Sequence, residues 1–351
     1  VSEDWRTRVD ISPIRDYNCP IVLNGVVCDG YVDGKRIAVI THFHHDHMLD
    51  MERTVYNCEP ILMHPTTYAA IIALNRSLAI KSQVRTLEYG VPFRIGNTTI
   101  TLFDSNHIPG SCQVLVEHDG RRLLYSGDFG PMSRPAKCDY LVLDATHGDP
   151  SYDYETDRDN TMQQMSDIIL ERIKRGESVV VHSSRGTLQE IVVYLETREK
   201  RIPDDVQFIA DKKEIDILKA IYPLQIRHVR DMLVRNSMDG YEAALAVTPS
   251  IFFVSTFATD NMDSRFVVYV DRYRWFGSGM PGVSRIKNGI RCNLSSHSSY
   301  GEIIRFVRDA GPKFVLTDSS RSSCAGILAE RICSELGIDA QASGTHMTES
   351  Q

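Results

Sequence analysis

A chain of 351 residues, 42% of them apolar, is long enough for one large domain or two ordinary ones and apolar enough to bury a core, and no apolar run approaches the roughly 18 residues of a membrane span. The net charge of −7 argues against a protein that coats nucleic acid over its whole surface, while leaving room for a local basic groove. Eight scattered cysteines without a CxxC pair speak against a disulfide frame or a zinc finger and point to a reducing compartment, cytoplasmic or nuclear.

No signal peptide is read at the start, where Asp4, Arg6, Arg8 and Asp10 interrupt any apolar run. From Pro20 to Asp144 the chain consists mostly of short β-prone runs: IVLNGVVC, RIAVI, TTITLF, CQVLVE, RLLYSG and YLVLD. Asp-Gly, Gly-Asn and Pro-Gly pairs punctuate them, and a helix is expected over 66–83. After Asp144 the period changes. Met162, Met165, Ile168, Ile169 and Ile173 fall on one side of a helix expected over 159–174. GESVVVHSSRGTLQEIVVYLE then reads as strand, turn and helix, and two further α/β passages follow around 206–220 and 251–270. The chain closes with a helix at 300–310, the strand KFVLT and a helix at 325–336. Alternating strands and helices imply a parallel, layered α/β arrangement. A β-rich first half is thus followed by an α/β stretch, with the end of the chain expected to rejoin the first half.

The segment AVITHFHHDHM carries the chemistry. The strand RIAVI runs into a loop that holds His42, His44, Asp46 and His47. Imidazole and carboxylate are the donors that suit a divalent metal such as zinc. The HxHxDH spacing turns His42 and His44 one way and Asp46 and His47 another, which fits two ions about 3.5–4 Å apart. A surface histidine run is the plainer alternative, disfavoured because the run follows a buried-looking strand and includes an aspartate. His107 (DSNHIPGS), Asp128 (LLYSGDFG) and His297 (SSHSSYGE) each stand in a loop next to a strand or helix, where ligands converge on one edge of a sheet.

THFHHDH, SNHIPGS, YSGDFG and VLDATHGDPSY, in that order, resemble the metallo-β-lactamase superfamily. More narrowly they resemble its β-CASP nuclease branch and, within it, the Artemis-like DNA cross-link-repair nucleases. SSHSSYGEIIRFVRDAGPKFVLT is similar to the tail of that group, and the likeness covers roughly 20–155 and 290–320. It implies an αββα sandwich built from residues 1–155 and 290–351, interrupted by an inserted α/β β-CASP domain at 156–289, with the active site in the cleft between them. It also implies that His42, His44 and His107 hold a first zinc, that Asp46, His47 and His297 hold a second, and that Asp128 bridges the two. Asp29 then corresponds to a buried aspartate that orients the metal loop, and Asp144 to the acidic residue that bonds the active-site histidine. Two positions depart from the pattern. Met48, Leu49 and Asp50 follow the Asp-His pair where a small residue and glycine are usual. Ser319, twenty-two residues beyond His297, stands where DNA-type members carry valine and RNA-type members histidine.

In such a site Asp46 orients or deprotonates the attacking water, and His297 either ligates the second ion or gives a proton to the leaving oxygen; with Asp144 these are the candidate catalytic residues. Between Ser264 and Arg291 the basic Arg265, Arg272, Arg274, Arg285, Lys287 and Arg291 outnumber the lone Asp271 and interleave with Tyr269, Tyr273, Trp275 and Phe276. That pattern suits a groove tracking a nucleic-acid backbone, or else a solvated strand edge over core aromatics. Ser183, Ser184, Arg185 and Gly186 precede a helix whose N-terminus would favour an anion; the family likeness makes this a pocket for a terminal 5′-phosphate, the alternative being an ordinary cap. The expectation is a metal-dependent nuclease with one or two zinc ions, a 5′-to-3′ exonuclease on single-stranded DNA in preference to RNA. The alternatives are a β-CASP ribonuclease or a noncatalytic nucleic-acid-binding subunit.

Overall fold

The computed structural model describes residues 9–11, 20–75, 83–153, 157–197, 202–234, 249–255, 265–270 and 282–344. The chain divides into two compact units, Val1–Asp153 with His297–Gln351, and Tyr154–Ser296.

In the first unit, β1 (Val9–Ile11), β2 (Ile21–Leu23), β3 (Val26–Cys28), β4 (Ile37–Val39), β5 (Ile61–Met63) and β6 (Val84–Thr86) form one sheet in sequence order. Its first three strands are antiparallel, and β3 to β6 run parallel. The crossovers from β4 to β5 and from β5 to β6 carry α1 (Met51–Asn57) and α2 (Pro65–Leu74). The helix expected over 66–83 is shorter than its apolar pattern: Asn75 turns extended (φ −146°, ψ 94°) and ends it, and Val84 already pairs in β6. A second sheet holds β7 (Pro92–Ile95), β8 (Thr98–Asp104), β9 (Cys112–His118), β10 (Arg121–Tyr125) and β11 (Tyr140–Leu143). It is completed by β19 (Phe314–Thr317) and β20 (Asp339–Ala342), so the end of the chain returns to this sheet.

The runs CQVLVE, RLLYSG and YLVLD carry consecutive apolar residues without alternation (VLV, LLY and YLVL) because both faces of this sheet are covered. Val114, Val116, Leu123, Tyr125 and Val142 meet Ile21, Val26, Val39 and Leu62 of the first sheet in one core. The alternate residues Leu115, Leu124, Leu141 and Leu143 pack against Ile303, Phe306, Val307, Leu328 and Ile332 in another. Those five belong to α6 (Tyr300–Ala310) and α7 (Ala325–Leu336), so the period of two along each strand sorts its side chains between two cores. Two sheets face to face with helices outside give the sandwich expected of this α/β chain.

The second unit is a sheet in the order β14 (Leu233–Val234), β13 (Gln207–Ala210), β15 (Ser250–Val254), β12 (Val179–His182), β16 (Phe266–Val270), β18 (Gly289–Cys292), β17 (Val283–Ile286). It is parallel apart from the β17–β18 hairpin. Met162, Met165 and Ile169 of α3 (Arg158–Lys174), Leu188 and Ile191 of α4 (Thr187–Thr197) and Leu218 of α5 (Lys212–Ile221) cover the face that presents Val179, Val181, Phe208 and Phe253. Among the described residues, no helix is long and apolar enough to cross a membrane.

Candidate metal centre

Each ligand-bearing side chain stands on a loop leaving a strand of the first unit or entering a helix there. β4 is a buried three-residue strand, and the chain beyond it makes a single 3-10 turn, His45–His47. β8 ends in an Asx turn in which Asp104 Oδ1 accepts from Asn106 N at 2.8 Å. Ser111 Oγ then accepts from the amides of His107 and Ile108, each at 3.1 Å, and so fixes the His107 main chain. β10 runs into Gly127 (φ +56°), where a Cβ would stand 2.6 Å from the Cys112 carbonyl, so only glycine lets Asp128 leave the strand along this path. His297 precedes α6. Its neighbour Ser298 is tied to the Asp128 loop by Ser298 N to Phe129 O at 2.9 Å and Ser298 Oγ to Gly130 O at 2.7 Å.

These loops bring His42, His44, His107 and Asp128 together, with one donor atom of each within 4.8 Å of the others. His42 Nε2 is 3.1 Å from His44 Nδ1, and His44 Nδ1 is 3.2 Å from His107 Nε2. Asp128 Oδ2 lies 3.7 Å from both His42 Nε2 and His107 Nε2. Nitrogens bound to one tetrahedral ion at 2.0–2.1 Å stand about 3.3 Å apart, so this spacing fits a shared divalent metal. The other carboxylate oxygen faces elsewhere. Asp128 Oδ1 is 3.3 Å from His47 Nε2, which is 3.7 Å from Asp46 Oδ2. His47 Nε2 is buried and makes no hydrogen bond, an orphaned polar atom of the kind a metal would satisfy. Asp128 thus turns one oxygen to the trio His42, His44 and His107 and the other to His47, with Asp46 on the far side of His47 Nε2. His297 Nε2 approaches Oδ2 at 3.9 Å, on the side of the trio.

The tautomers follow from the partners behind the rings. Asp29 is wholly buried. Its Oδ1 accepts from Thr41 N at 2.8 Å, and its Oδ2 accepts from Thr41 Oγ1 at 2.7 Å and from His47 Nδ1 at 2.8 Å. Because the Thr41 hydroxyl donates to Asp29, it accepts from His42 Nδ1 at 3.0 Å. One aspartate, by taking the Nδ1 protons directly or through Thr41, therefore turns Nε2 of both His42 and His47 toward the cluster. Asp144 does the same for His297: Oδ2 accepts from His297 Nδ1 at 3.2 Å, while Oδ1 is held by Thr146 N at 2.8 Å and Thr146 Oγ1 at 2.6 Å.

Burial, with the charges of His47 and His44, holds His42 well below the usual imidazole range, so it is neutral at pH 7 and presents its lone pair. Burial pulls His47 the same way, but Asp128, Asp29 and Asp46 outweigh it and raise the imidazole well above its ordinary value. Burial works to raise the Asp128 carboxyl, yet His47, His297 and His42 hold it well below the usual carboxylate range. For His297, burial is overcome by the bond to Asp144 and the nearby carboxylates, which lift it to about 9.

Several residues around the site carry no ligand signature in the sequence. Thr41 links Asp29 to His42. His147 donates through Nδ1 to Ser298 O at 2.9 Å and stacks on Tyr152 with ring centroids 5.1 Å apart. Arg321 and Asp318 pair at 3.2 Å beneath the metal loop. The one signal for these two was a charged pair inside the otherwise small, polar loop DSSRSS. Ser319, which departs from both the valine and the histidine patterns, bonds Ser343, with Oγ to Oγ at 2.8 Å and Ser319 N to Ser343 Oγ at 2.8 Å. Strand β20 runs beside β19 and puts Ser343 within its reach.

The anion and nucleic-acid candidates all belong to the second unit. Ser183, Ser184, Arg185 and Gly186 join β12 to α4. There Gly186 N donates to Gln189 Oε1 at 2.8 Å, and Arg185 Nε donates to the buried Glu214 Oε1 at 3.0 Å. Glu214 also accepts from Gln189 and Ser255. Arg265, just before β16, lies over the Phe252 ring at 4.5 Å. Lys287 occupies the β17–β18 turn with Arg285 beside it, whereas Arg291 pairs with Tyr269 toward the opposite strand ends. Arg265 stands at the same end as Lys287, since Asn288 Nδ2 donates to Arg265 O at 2.8 Å, so Arg291 alone of the described members is set toward the other end, and Arg272, Arg274, Tyr273, Trp275 and Phe276 lie outside the described residues.

Residues 32–182 match the family model described as "Beta-lactamase superfamily domain". "Ribonuclease TTHA0252" of Thermus thermophilus is 26% identical over 167 residues, 45% of this chain and 38% of that protein. "DNA cross-link repair protein SNM1" of Arabidopsis thaliana is 23% identical over 315 residues, 82% and 61% of the two chains. "5′ exonuclease Apollo" of Gallus gallus is 32% identical over 127 residues, 33% and 27%. The chain thus spans between 27% and 61% of the length of these curated relatives. A solved structure of a protein of unknown function from Enterococcus faecalis V583 is similar in fold, with a TM-score of 0.58 at 11% identity over 82% of this chain and 77% of that one.

Proposed function

From the premise of a metallo-β-lactamase superfamily domain with a His/Asp metal cluster at its edge, we propose that the chain is a zinc-dependent phosphodiesterase acting on nucleic acid. The more specific reading is a 5′-to-3′ exonuclease on single-stranded DNA, with the unit Tyr154–Ser296 as a β-CASP insertion. The observation that carries the chemistry is the divided carboxylate of Asp128. Its Oδ2 faces His42, His44 and His107, and its Oδ1 faces His47, whose Nε2 is 3.7 Å from Asp46, an arrangement that suits two adjacent ions. When bound, such ions neutralise phosphate oxygens and lower the pKa of water toward neutrality.

The chain's own residues supply the rest. Asp46, with its side chain 61% exposed, orients the attacking water and accepts its proton. The phosphorus–oxygen bond to the leaving nucleoside breaks as His297 Nε2 gives that oxygen a proton, while Asp144 keeps the imidazole aimed through Nδ1. His297 serves better as proton donor than as second-ion ligand, because it approaches the Asp128 oxygen that faces the trio.

DNA is favoured by extent of alignment. Likeness to the cross-link repair protein runs through 82% of the chain, whereas likeness to the ribonuclease covers 45%. Ser319 is secondary in this choice, since its hydroxyl is occupied by Ser343. The ribonuclease reading remains the second one, carried by the Thermus relative. The intact ligand set argues against a noncatalytic subunit. The test is cleavage of matched single-stranded DNA and RNA, each with a 5′-phosphate or a 5′-hydroxyl, with zinc and with EDTA. Zinc-dependent shortening of phosphorylated DNA from its 5′ end is expected. Equal or faster cleavage of RNA overturns the DNA preference, equal rates on both ends overturn the 5′-phosphate pocket at Arg185, and no cleavage of either polymer overturns the nuclease.

A further inference from the structure

His47 Nε2 faces the second carboxylate oxygen of Asp128 at 3.3 Å and Asp46 Oδ2 at 3.7 Å, and His47 and Asp46 both ride on a 3-10 turn of three residues. Such a turn has little rigidity of its own. His47 is anchored from behind by Asp29 at 2.8 Å. Asp46 projects into solvent, so its position depends on its main chain.

That main chain is held by Arg321. Its Nη2 stands 3.3 Å from the carbonyl oxygen of Asp46 and 3.3 Å from that of Asp29, at the long end of hydrogen-bond distance for each. One nitrogen thus clips the ligand turn to the residue that orients His47 and, through Thr41, His42. The guanidinium is itself fixed. Nη1 donates to Asp318 Oδ2 at 3.2 Å and to Ser320 Oγ at 3.3 Å. Asp318 is held by Ser320 N at 2.8 Å, and its own amide donates to Leu143 O at 2.8 Å at the end of β11. Arg321 and Asp318 side chains are only 10% and 4% exposed, so the pair is a built support and not a surface contact. Its route runs from the second sheet, through the loop after β19, to the metal loop after β4. A planar guanidinium fork is suited to this role, since one nitrogen spans two carbonyls while another stays on the carboxylate, which a single ammonium cannot do.

We propose that Arg321 is a positioning residue for the second metal position, the one formed by Asp46, His47 and Asp128 Oδ1, and that it has little influence on the first. The inference rests on the two-ion reading of the site, and not on the identity of the substrate. Removing the clip frees the 45–47 turn, whereas His42 keeps its support in Thr41, itself held by Asp29, and His107 keeps its own in Ser111.

The test uses the full chain stripped of metal and titrated with zinc by calorimetry and with cobalt(II) by its visible absorption. The unmodified protein is expected to bind in two resolved steps. R321Q should leave the first step within about twofold and weaken the second by about tenfold or more, the range seen when groups behind metal ligands are lost. The cobalt bands of the first step should be unchanged. R321K should fall between the two. D318N, which keeps the cation but loosens its anchor, should weaken the second step in the same direction and serves if R321Q does not fold. The proposal is overturned by equal weakening of both steps, by no change in either, or by a tighter second step in R321Q. A fully normal second step in R321K beside a weak one in R321Q, or a single binding step in the unmodified protein, also overturns it. Failure of the nuclease reading is distinguishable, because it leaves the two binding steps intact and removes only cleavage.

Discussion

Asp29 shows how much of a metal site resides in a residue that touches no metal. It lies in a left-handed turn (φ +54°), and its two oxygens receive three hydrogen bonds, two of which set the tautomers of His42 and His47. In Asp29→Asn one oxygen becomes an NH2 that faces donors. Zinc affinity should then fall about 10- to 100-fold with the fold retained, and unchanged affinity in a zinc titration would falsify the role. His297 answers to a different measurement. His297→Ala should lower kcat by about 100-fold or more, as loss of a proton donor does, while bound zinc per chain stays at the level of the unmodified protein. A parallel loss of zinc would make His297 a ligand after all.

The elements matter for the turns they deliver. The loop SNHIPGS reaches its place because Gly110 (φ +84°) lies against the first turn of α2, where a Cβ would meet Thr67 N at 2.7 Å, and because Thr67 Oγ1 donates to Gly110 O at 2.7 Å. Gly110→Ala should therefore cost about 1–3 kcal/mol of stability and weaken the first zinc step, since His107 moves with the loop. A circular-dichroism melt and a zinc titration that both match the unmodified protein would remove α2 from the account. The departure at Asp50 has a geometric reading as well. Asp50 adopts φ +53° at the start of α1, the conformation that suits the glycine expected there, and its carboxylate pairs with Arg53 at 3.3 Å. Asp50→Gly relieves the left-handed strain of about 1 kcal/mol, but it loses an exposed ion pair worth a few tenths and adds chain entropy when unfolded. The melting temperature should barely change, and a fall of many degrees would show the Asp50–Arg53 pair to be more than a surface contact.

For the whole molecule, acid should be destabilising in a defined window. Burial, together with the charge of His297, pushes His147 down to about 4 from its ordinary 6.5. The unfolded chain therefore takes up this proton first. The stability due to a neutral His147 is complete above pH 6.5 and is lost as the pH falls toward 4. Denaturant midpoints of metal-free protein should drop between pH 7 and pH 5. His147→Asn, which keeps a donor for Ser298 O and cannot be protonated, should flatten that slope. An equally steep slope in the variant would assign the acid sensitivity to other groups.

What the sequence by itself determined is what depends on neighbours along the chain. The β-prone runs YLVLD and SVVVH announced strands, and the helices expected at 300–310 and 325–336 stand at those bounds as α6 and α7. The cluster His42, His44, His107 and Asp128 was legible as a candidate metal group too, because histidine and aspartate clustered after a buried strand have few other uses. What only the tertiary structure decided is what depends on residues far apart in sequence meeting in space. Asp128 dividing its oxygens between two groups, Arg321 reaching Asp29 and Asp46 across nearly the whole chain, and Ser319 turning to Ser343 all result from how sheets and loops are packed. The basic residues of the second unit make the same point. Arg265 and Lys287, far apart in sequence, meet at one end of the parallel strands β16 and β18, while Arg291, close to Lys287 in sequence, lies toward the other end, and Arg265 is drawn onto Phe252. Local pattern states which chemistry a side chain offers, and three-dimensional packing determines which partner it meets.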